Sequence, residues 1–134
     1  DQVQLDLIFC YYRLNQSEKA TLIAERFLRL SPTHKDVDYV LYMSGVNQSL
    51  VLQSFSQSLF GIDRAEREIA FATKAFDYLK RLLQQYPESQ YVADARLRLI
   101  WLKDFIARHH YAIAQYYFEP LNQSSILESL LQVS

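Results

Sequence analysis

Two glycines and three prolines are the whole supply of strong chain-breakers in these 134 residues. A β-sandwich or barrel needs turn residues about every 8–12 positions, so this chain cannot be one. Gly45 and Gly61 stand alone, which also excludes the clustered glycines of a phosphate- or dinucleotide-binding loop. Long stretches without breakers satisfy their own backbone groups as helices. Half the residues are hydrophobic and the formal charge is −1, from 14 Lys+Arg against 15 Asp+Glu. Neither the low hydrophobicity nor the high net charge of a disordered chain is present. Nor is the basic excess of a general nucleic-acid binder, so no nucleic acid is expected as a partner. The lone Cys10 rules out an internal disulfide. No run of about 18 apolar residues occurs that would span a membrane. The chain opens inside an amphipathic pattern, without a Met or a charged leader, and is read as a piece of a longer protein whose targeting signal is out of view.

Helical periodicity runs almost from end to end. Val3, Leu7, Cys10, Tyr11 and Leu14 form a first stripe, on which Cys10 is expected to be packed. Asn15 with Glu18 then reads as a capping box. Ala20, Ile23, Ala24, Phe27 and Leu30 form the second stripe, closed by Ser31-Pro32. Thr33 with Asp36 is a second capping candidate. A third helix carries Val37, Val40, Leu41, Ser44 and Gly45 toward Phe55. Leu59 to Asp63 reads as a loop, with Asp63 and Glu66 as caps of the helix after it. The next stripe, Ile69, Ala72, Phe76, Leu79, Leu83 and Tyr86, advances by 3, 4, 3, 4 and 3, which keeps one helix face. After Tyr86-Pro87-Glu88-Ser89, one long helix is predicted from Tyr91 to Tyr117. Pro120 is expected to stop it, ahead of a short apolar segment from Ile126 to Val133.

The chain repeats itself. A shift of 55 lays Pro32 on Pro87, Ala20 on Ala75, Ala24 on Leu79 and Phe27 on Leu82. Ala, apolar residues four and seven places later and a proline twelve later form the second-helix half of a tetratricopeptide repeat. Leu7 and Tyr11 occupy first-helix positions, and Gly45 the Gly place of the next first helix. Small residues such as Gly45 and Ala75 let antiparallel helices approach closely. The predicted fold is all-α, a tetratricopeptide-like solenoid of antiparallel helix pairs in one domain. Its first repeat covers about 1–33. The second, 34–88, carries an insertion near 56–68, because the shift exceeds the usual unit of about 34 residues. The third, 89–134, is atypical or truncated.

The runs Leu30-Ser31-Pro32-Thr33-His34, Val37 to Met43, Phe60 to Arg64, Tyr86 to Tyr91 with Asp94-Ala95, Leu102-Lys103-Asp104 and Tyr111 to Tyr117 resemble the BamD/ComL outer-membrane assembly lipoproteins. The resemblance covers about residues 1–118 and weakens after Tyr117, where the family has a Gly-containing turn and a long further helix. It implies a non-enzymatic scaffold of the machinery that assembles β-barrels in the outer membrane. It further implies a lipid anchor at the periplasmic face, absent from this chain and not supplied by Cys10. Partners implied are the POTRA region of the barrel-forming component, companion lipoproteins and unfolded β-barrel substrates. Another envelope tetratricopeptide adaptor, for example in cell-wall synthesis, is the alternative.

Candidate sites come from the repeat pattern. First helices line the concave side of such solenoids, which singles out Phe9, Tyr12, Arg13, Tyr39, Met43 and Asn47 as a peptide- or partner-binding set. Aromatic faces there would supply area, while Arg13 or Asn47 would hold peptide carbonyls or a terminal carboxylate. Most of that stripe would otherwise be inter-helix core. Arg96, Arg98, Lys103 and Arg108 against Asp104 leave a local charge of +3 on the long helix. They form either a solvated face or a dock for an acidic partner. His34, His109 and His110 lack the companion ligands of a metal site, and no nucleophile-elbow pattern occurs. No cofactor, metal or catalytic role is expected.

Overall fold

The computed structural model describes residues 1–54 and 61–132. Five helices follow one another: α1 (Gln2–Arg13), α2 (Ser17–Leu30), α3 (Val37–Ser54), α4 (Ile62–Gln85) and α5 (Val92–Gln132). Successive helices pack as adjacent pairs, and no strand occurs among the described residues. This is the all-α, tetratricopeptide-like solenoid expected from the pattern. The expected loop at Leu59 and Phe60, the helix end at Phe55 and the last apolar residue Val133 lie outside the described residues.

One turn is built twice, 55 residues apart. The α2 end at Ser31 has φ −131° and ψ 56°, and the α4 end at Tyr86 has φ −132° and ψ 59°. Each N–H bonds back to a carbonyl four residues earlier, Phe27 and Leu82, both at 2.8 Å. His34 then bonds Ser31 as Ser89 bonds Tyr86, and Val37 bonds His34 as Val92 bonds Ser89. The six aligned residues Ala20, Ala24, Phe27, Ala75, Leu79 and Leu82 are all buried. A proline just past each helix end cannot continue the helix, so chemistry and geometry recur together.

α3 is the centre of the stack, packed on α1, α2 and α4. Residues 43–49 are buried without interruption. Its small residues set the spacing: a Cβ on Gly45 would come within 2.5 Å of Leu79 Cγ. Buried hydroxyls in α3 bond the preceding turn, Ser44 Oγ to the Val40 carbonyl and Ser49 Oγ to the Gly45 carbonyl, at 2.7 and 2.8 Å.

Several local expectations are corrected. On α1 the buried residues are Leu5 and Ile8. Val3, Leu7 and Leu14 are exposed, and so is Cys10, which its stripe would have packed. α1 carries apolar residues on several faces, so packing against α2 and α3 sets its phase, not periodicity. Asn15 does not cap α2. It adopts φ 55° and ends α1, with Asn15 N–H bonding the Tyr12 carbonyl and Gln16 N–H the Tyr11 carbonyl. That is a Schellman turn, for which Asn tolerates the left-handed conformation. α3 begins at Val37, beyond Thr33, and the Asp36 N–H bonds His34 Nδ1 at 3.2 Å. Gly61 precedes α4, which places Asp63 in its first turn, not at its cap.

Pro120 does not end α5, which continues to Gln132. A helical proline forfeits one N–H bond and crowds the carbonyl four residues back. Residues 115–132 are exposed throughout, so the helix can yield locally without disturbing a packed neighbour. Beyond the proline the serine hydroxyls bond within the helix, Ser124 Oγ to the Leu121 carbonyl and Ser125 Oγ to the Asn122 carbonyl.

Candidate functional site

A groove of about 540 Å³ opens along one side of α1. Leu5, Asp6, Phe9 and Cys10 form one wall, with Gln2 at its end. The other wall is Asp36 from the turn before α3, Tyr39 from the first turn of α3 and Tyr91 from the turn before α5. Asp36 and Tyr91 are the same position in the duplicated turn. Stacking fixes this wall: the Tyr42 and Tyr91 rings lie 4.7 Å apart at 16°, and Tyr39 approaches Tyr91 at 6.0 Å.

Polar bonds anchor these rings. Tyr42 donates to Asp94 Oδ2 at 2.7 Å, and Arg98 donates to the same carboxylate while lying 6.0 Å over the Tyr42 ring. Ser89 Oγ donates to Asp38 Oδ2 at 2.6 Å, tying the turn before α5 to the first turn of α3. Arg98 and the Tyr42 hydroxyl hold the Asp94 carboxyl below its ordinary value. Burial raises the Tyr42 hydroxyl, and its bond to Asp94 adds to the rise.

Of the residues singled out from sequence, Phe9 and Tyr39 meet in this groove. Tyr12 packs half-buried on the core, its ring 6.4 Å from Phe9, and Arg13 is exposed at the end of α1. Met43 and Asn47 are 6% and 1% exposed, inside the stack. Asn47 Nδ2 bonds the Ser17 carbonyl and Thr21 Oγ1, both at 2.9 Å, so this side chain joins α3 to α2. Gln48 Nε2 also reaches Thr21, at 3.0 Å. The carbonyl oxygens Asn47 Oδ1 and Gln48 Oε1 are buried without a hydrogen-bond partner among the described residues. A second hollow, about 680 Å³, lies beside Gln48 and is walled by Leu22, Val51 and Phe71.

The basic residues of α5 differ in their pairing. Arg98 is held by Asp94, and Arg108 Nη2 meets Asp104 Oδ2 at 2.8 Å. Arg96 and Lys103 are exposed and form no ion pair among the described residues. Further along, His109 Nε2 lies 2.8 Å from Glu68 Oε2 and Nδ1 2.9 Å from the Phe105 carbonyl. Glu68 also accepts from Arg64 at 2.8 Å. Both ring nitrogens of His109 thus lie within hydrogen-bond distance of oxygen atoms. This cluster pins α5 to the start of α4.

Among the described residues no group of three His, Cys, Asp or Glu side chains could hold a metal ion, and no helix is long and apolar enough to cross a membrane.

Paired helices, a duplicated turn and a side-on aromatic groove define a tetratricopeptide-like repeat protein. The chain belongs to the YfiO family, described as outer membrane lipoproteins, whose model matches residues 1–127. It is 42% identical over 117 residues to an outer membrane protein assembly factor BamD of Vibrio cholerae, covering 87% of this chain and 48% of that protein. Proteins of the same name from Pasteurella multocida and Buchnera aphidicola are 38% and 34% identical, with 87% and 88% of this chain and 45% and 48% of theirs covered. The chain therefore spans about half the length of the curated relatives it matches.

Proposed function

We propose that this chain is the helical-repeat part of an outer-membrane protein assembly factor, acting as a non-enzymatic scaffold. The observation that carries the reading is the match of residues 1–127 to the outer membrane lipoprotein family, together with relatives named as assembly factors. The full-length protein is anchored by lipid at the periplasmic face of the outer membrane. It binds the POTRA region of the barrel-forming component, companion lipoproteins and extended segments of unfolded barrel proteins.

The groove of Phe9, Tyr39 and Tyr91 supports the last of these roles, since rigid aromatic walls suit an extended chain. Tyr12 and Arg13 extend that surface toward the end of α1. Met43 and Asn47 support it from within, by holding α3 in place. Arg96 and Lys103, with Arg98 and Arg108 beside them, offer an acidic partner a dock on α5.

The test is capture of a POTRA-containing barrel protein by the folded full-length protein. Recovery of a stoichiometric complex is expected, and failure with a folded bait overturns the scaffold reading.

A further inference from the structure

The α1 groove is lined by the carboxylates of Asp6 and Asp36 and the rings of Phe9, Tyr39 and Tyr91, with no Lys or Arg among the described residues of its lining. Asp6 is exposed, and its Oδ1 accepts only a neutral donor, Gln2 Nε2 at 3.0 Å. Asp36 Oδ2 faces His34 Nδ1 at 3.6 Å, and the same ring approaches Asp1 Oδ2 at 3.8 Å. One imidazole is therefore the only basic group set against these acids among the described residues. Their field reaches the rings. The Tyr39 hydroxyl is raised by burial first, then by Tyr91, Asp6 and Cys10. The Tyr91 hydroxyl is raised by burial and then by Asp38 and Asp36. Aromatic faces with anionic neighbours attract a cation from two directions, by quadrupole and by charge.

The geometry points to a cation-accepting site in this groove: an extended peptide docks with a lysine or arginine side chain laid among Phe9, Tyr39 and Tyr91, its charge held by Asp6 and Asp36. The inference rests on the proposed peptide-binding role of this face and names the chemistry it selects. It replaces the expectation that Arg13 or Asn47 holds peptide carbonyls or a terminal carboxylate here. Asn47 is committed to α2, and Arg13 does not line the groove. An acidic residue brought to this place would meet like charge. A basic one exchanges water for carboxylates and ring faces, with its aliphatic stem lying on the aromatic walls.

The experiment is fluorescence anisotropy of the full-length protein with three labelled peptides, Ser-Tyr-Thr-X-Thr-Tyr-Ser, where X is lysine, norleucine or glutamate. The lysine peptide is expected to bind about 5-fold more tightly than norleucine, the combined scale of one cation–π contact and one exposed ion pair. The glutamate peptide is expected to be weakest. Asp6→Asn and Asp36→Asn should each weaken the lysine peptide about 2- to 4-fold and so narrow its preference over the norleucine peptide. Asparagine preserves shape and helix-start chemistry at position 36, so folding should be retained, and Asp6→Asn tests an exposed site independently. Equal binding of lysine and norleucine peptides, both lost in Tyr39→Ala, overturns the cation site and leaves the groove reading standing. Binding of all three that is indifferent to Tyr39→Ala, or no binding of any, overturns both.

Discussion

Gly45→Ala tests the packing on which the whole stack depends. Gly45 is buried in the middle of α3, and the added methyl would stand 2.5 Å from Leu79 Cγ and 2.6 Å from Cδ2. Carbon atoms pack best at about 3.5–4.0 Å, so the overlap is roughly 1 Å. Leu79 is 0% exposed, so any shift of its side chain must displace core neighbours. Overpacking of this kind costs about 1–3 kcal/mol, and an overlap this deep against a fully buried partner belongs at the upper end. Alanine returns about 1 kcal/mol of helix propensity. The net loss is about 2 kcal/mol, or roughly 7 °C in Tm for a chain of this size. The assay is thermal and urea unfolding followed by circular dichroism. Leu79→Ala alone should cost about 2–5 kcal/mol through its cavity. In the double variant the methyl added at position 45 would occupy part of that cavity, so the combined loss should fall short of the sum by about 2 kcal/mol. A Gly45→Ala protein that melts at or above the parent temperature, or strict additivity in the double variant, would refute the close α3–α4 approach.

Three further outcomes are expected. Tyr78, raised to about 12 by burial and then by Glu25, should ionise last in a spectrophotometric titration, and Glu25→Gln should bring it down only part of the way. Asp94 sits below its ordinary value because Arg98 and then Tyr42 bind its charged form, so its contribution is present above the unfolded carboxylate value and is lost as pH falls through the folded one. Carbon NMR of that carboxyl should show its titration moving up in Arg98→Ala and, by less, in Tyr42→Phe. Cys10, exposed on α1, should react with a thiol reagent in the native protein nearly as fast as in urea; protection of more than about tenfold would mean that this face of α1 is covered.

Helix order and the two proline turns were legible because they follow from local chemistry. Proline after an apolar stripe ends a helix wherever it falls, and the shift of 55 found the two turns that prove superimposable in dihedral and hydrogen bond. The phase of α1 was not legible. Its apolar residues lie on several faces, and the choice of Leu5 and Ile8 over Leu7 and Cys10 belongs to the neighbours they meet. Asn15 misled for a related reason. The same residue types cap a helix start and tolerate a left-handed helix end, and a short link between helices offers both uses. Pro120 shows the opposite limit, since a breaker acts within its own turn and need not end a helix that has no packed neighbour to disturb.

The candidate site was half legible, and position in the stack explains which half. First helices share a groove-facing pattern, so Phe9 and Tyr39 were found by repeat position alone. That reasoning treats every first helix alike, whereas α3 is enclosed by α1, α2 and α4 and α1 is not. Enclosure buries Met43 and Asn47 whatever their repeat position, and leaves only the first turns of α3 to face the groove. Asp36 and Tyr91 were missed because they lie in turns, yet they occupy equivalent places under the shift of 55 that revealed the repeat. In this stack α1 and the mouths of the turns line the groove, while the middle of α3 is structural. Polar residues in those two places, such as Asp6 and Asp36, keep only short-range partners among the described residues, Gln2 and His34. Polar residues deep in an inner helix, such as Asn47, are bound to the neighbouring helix instead.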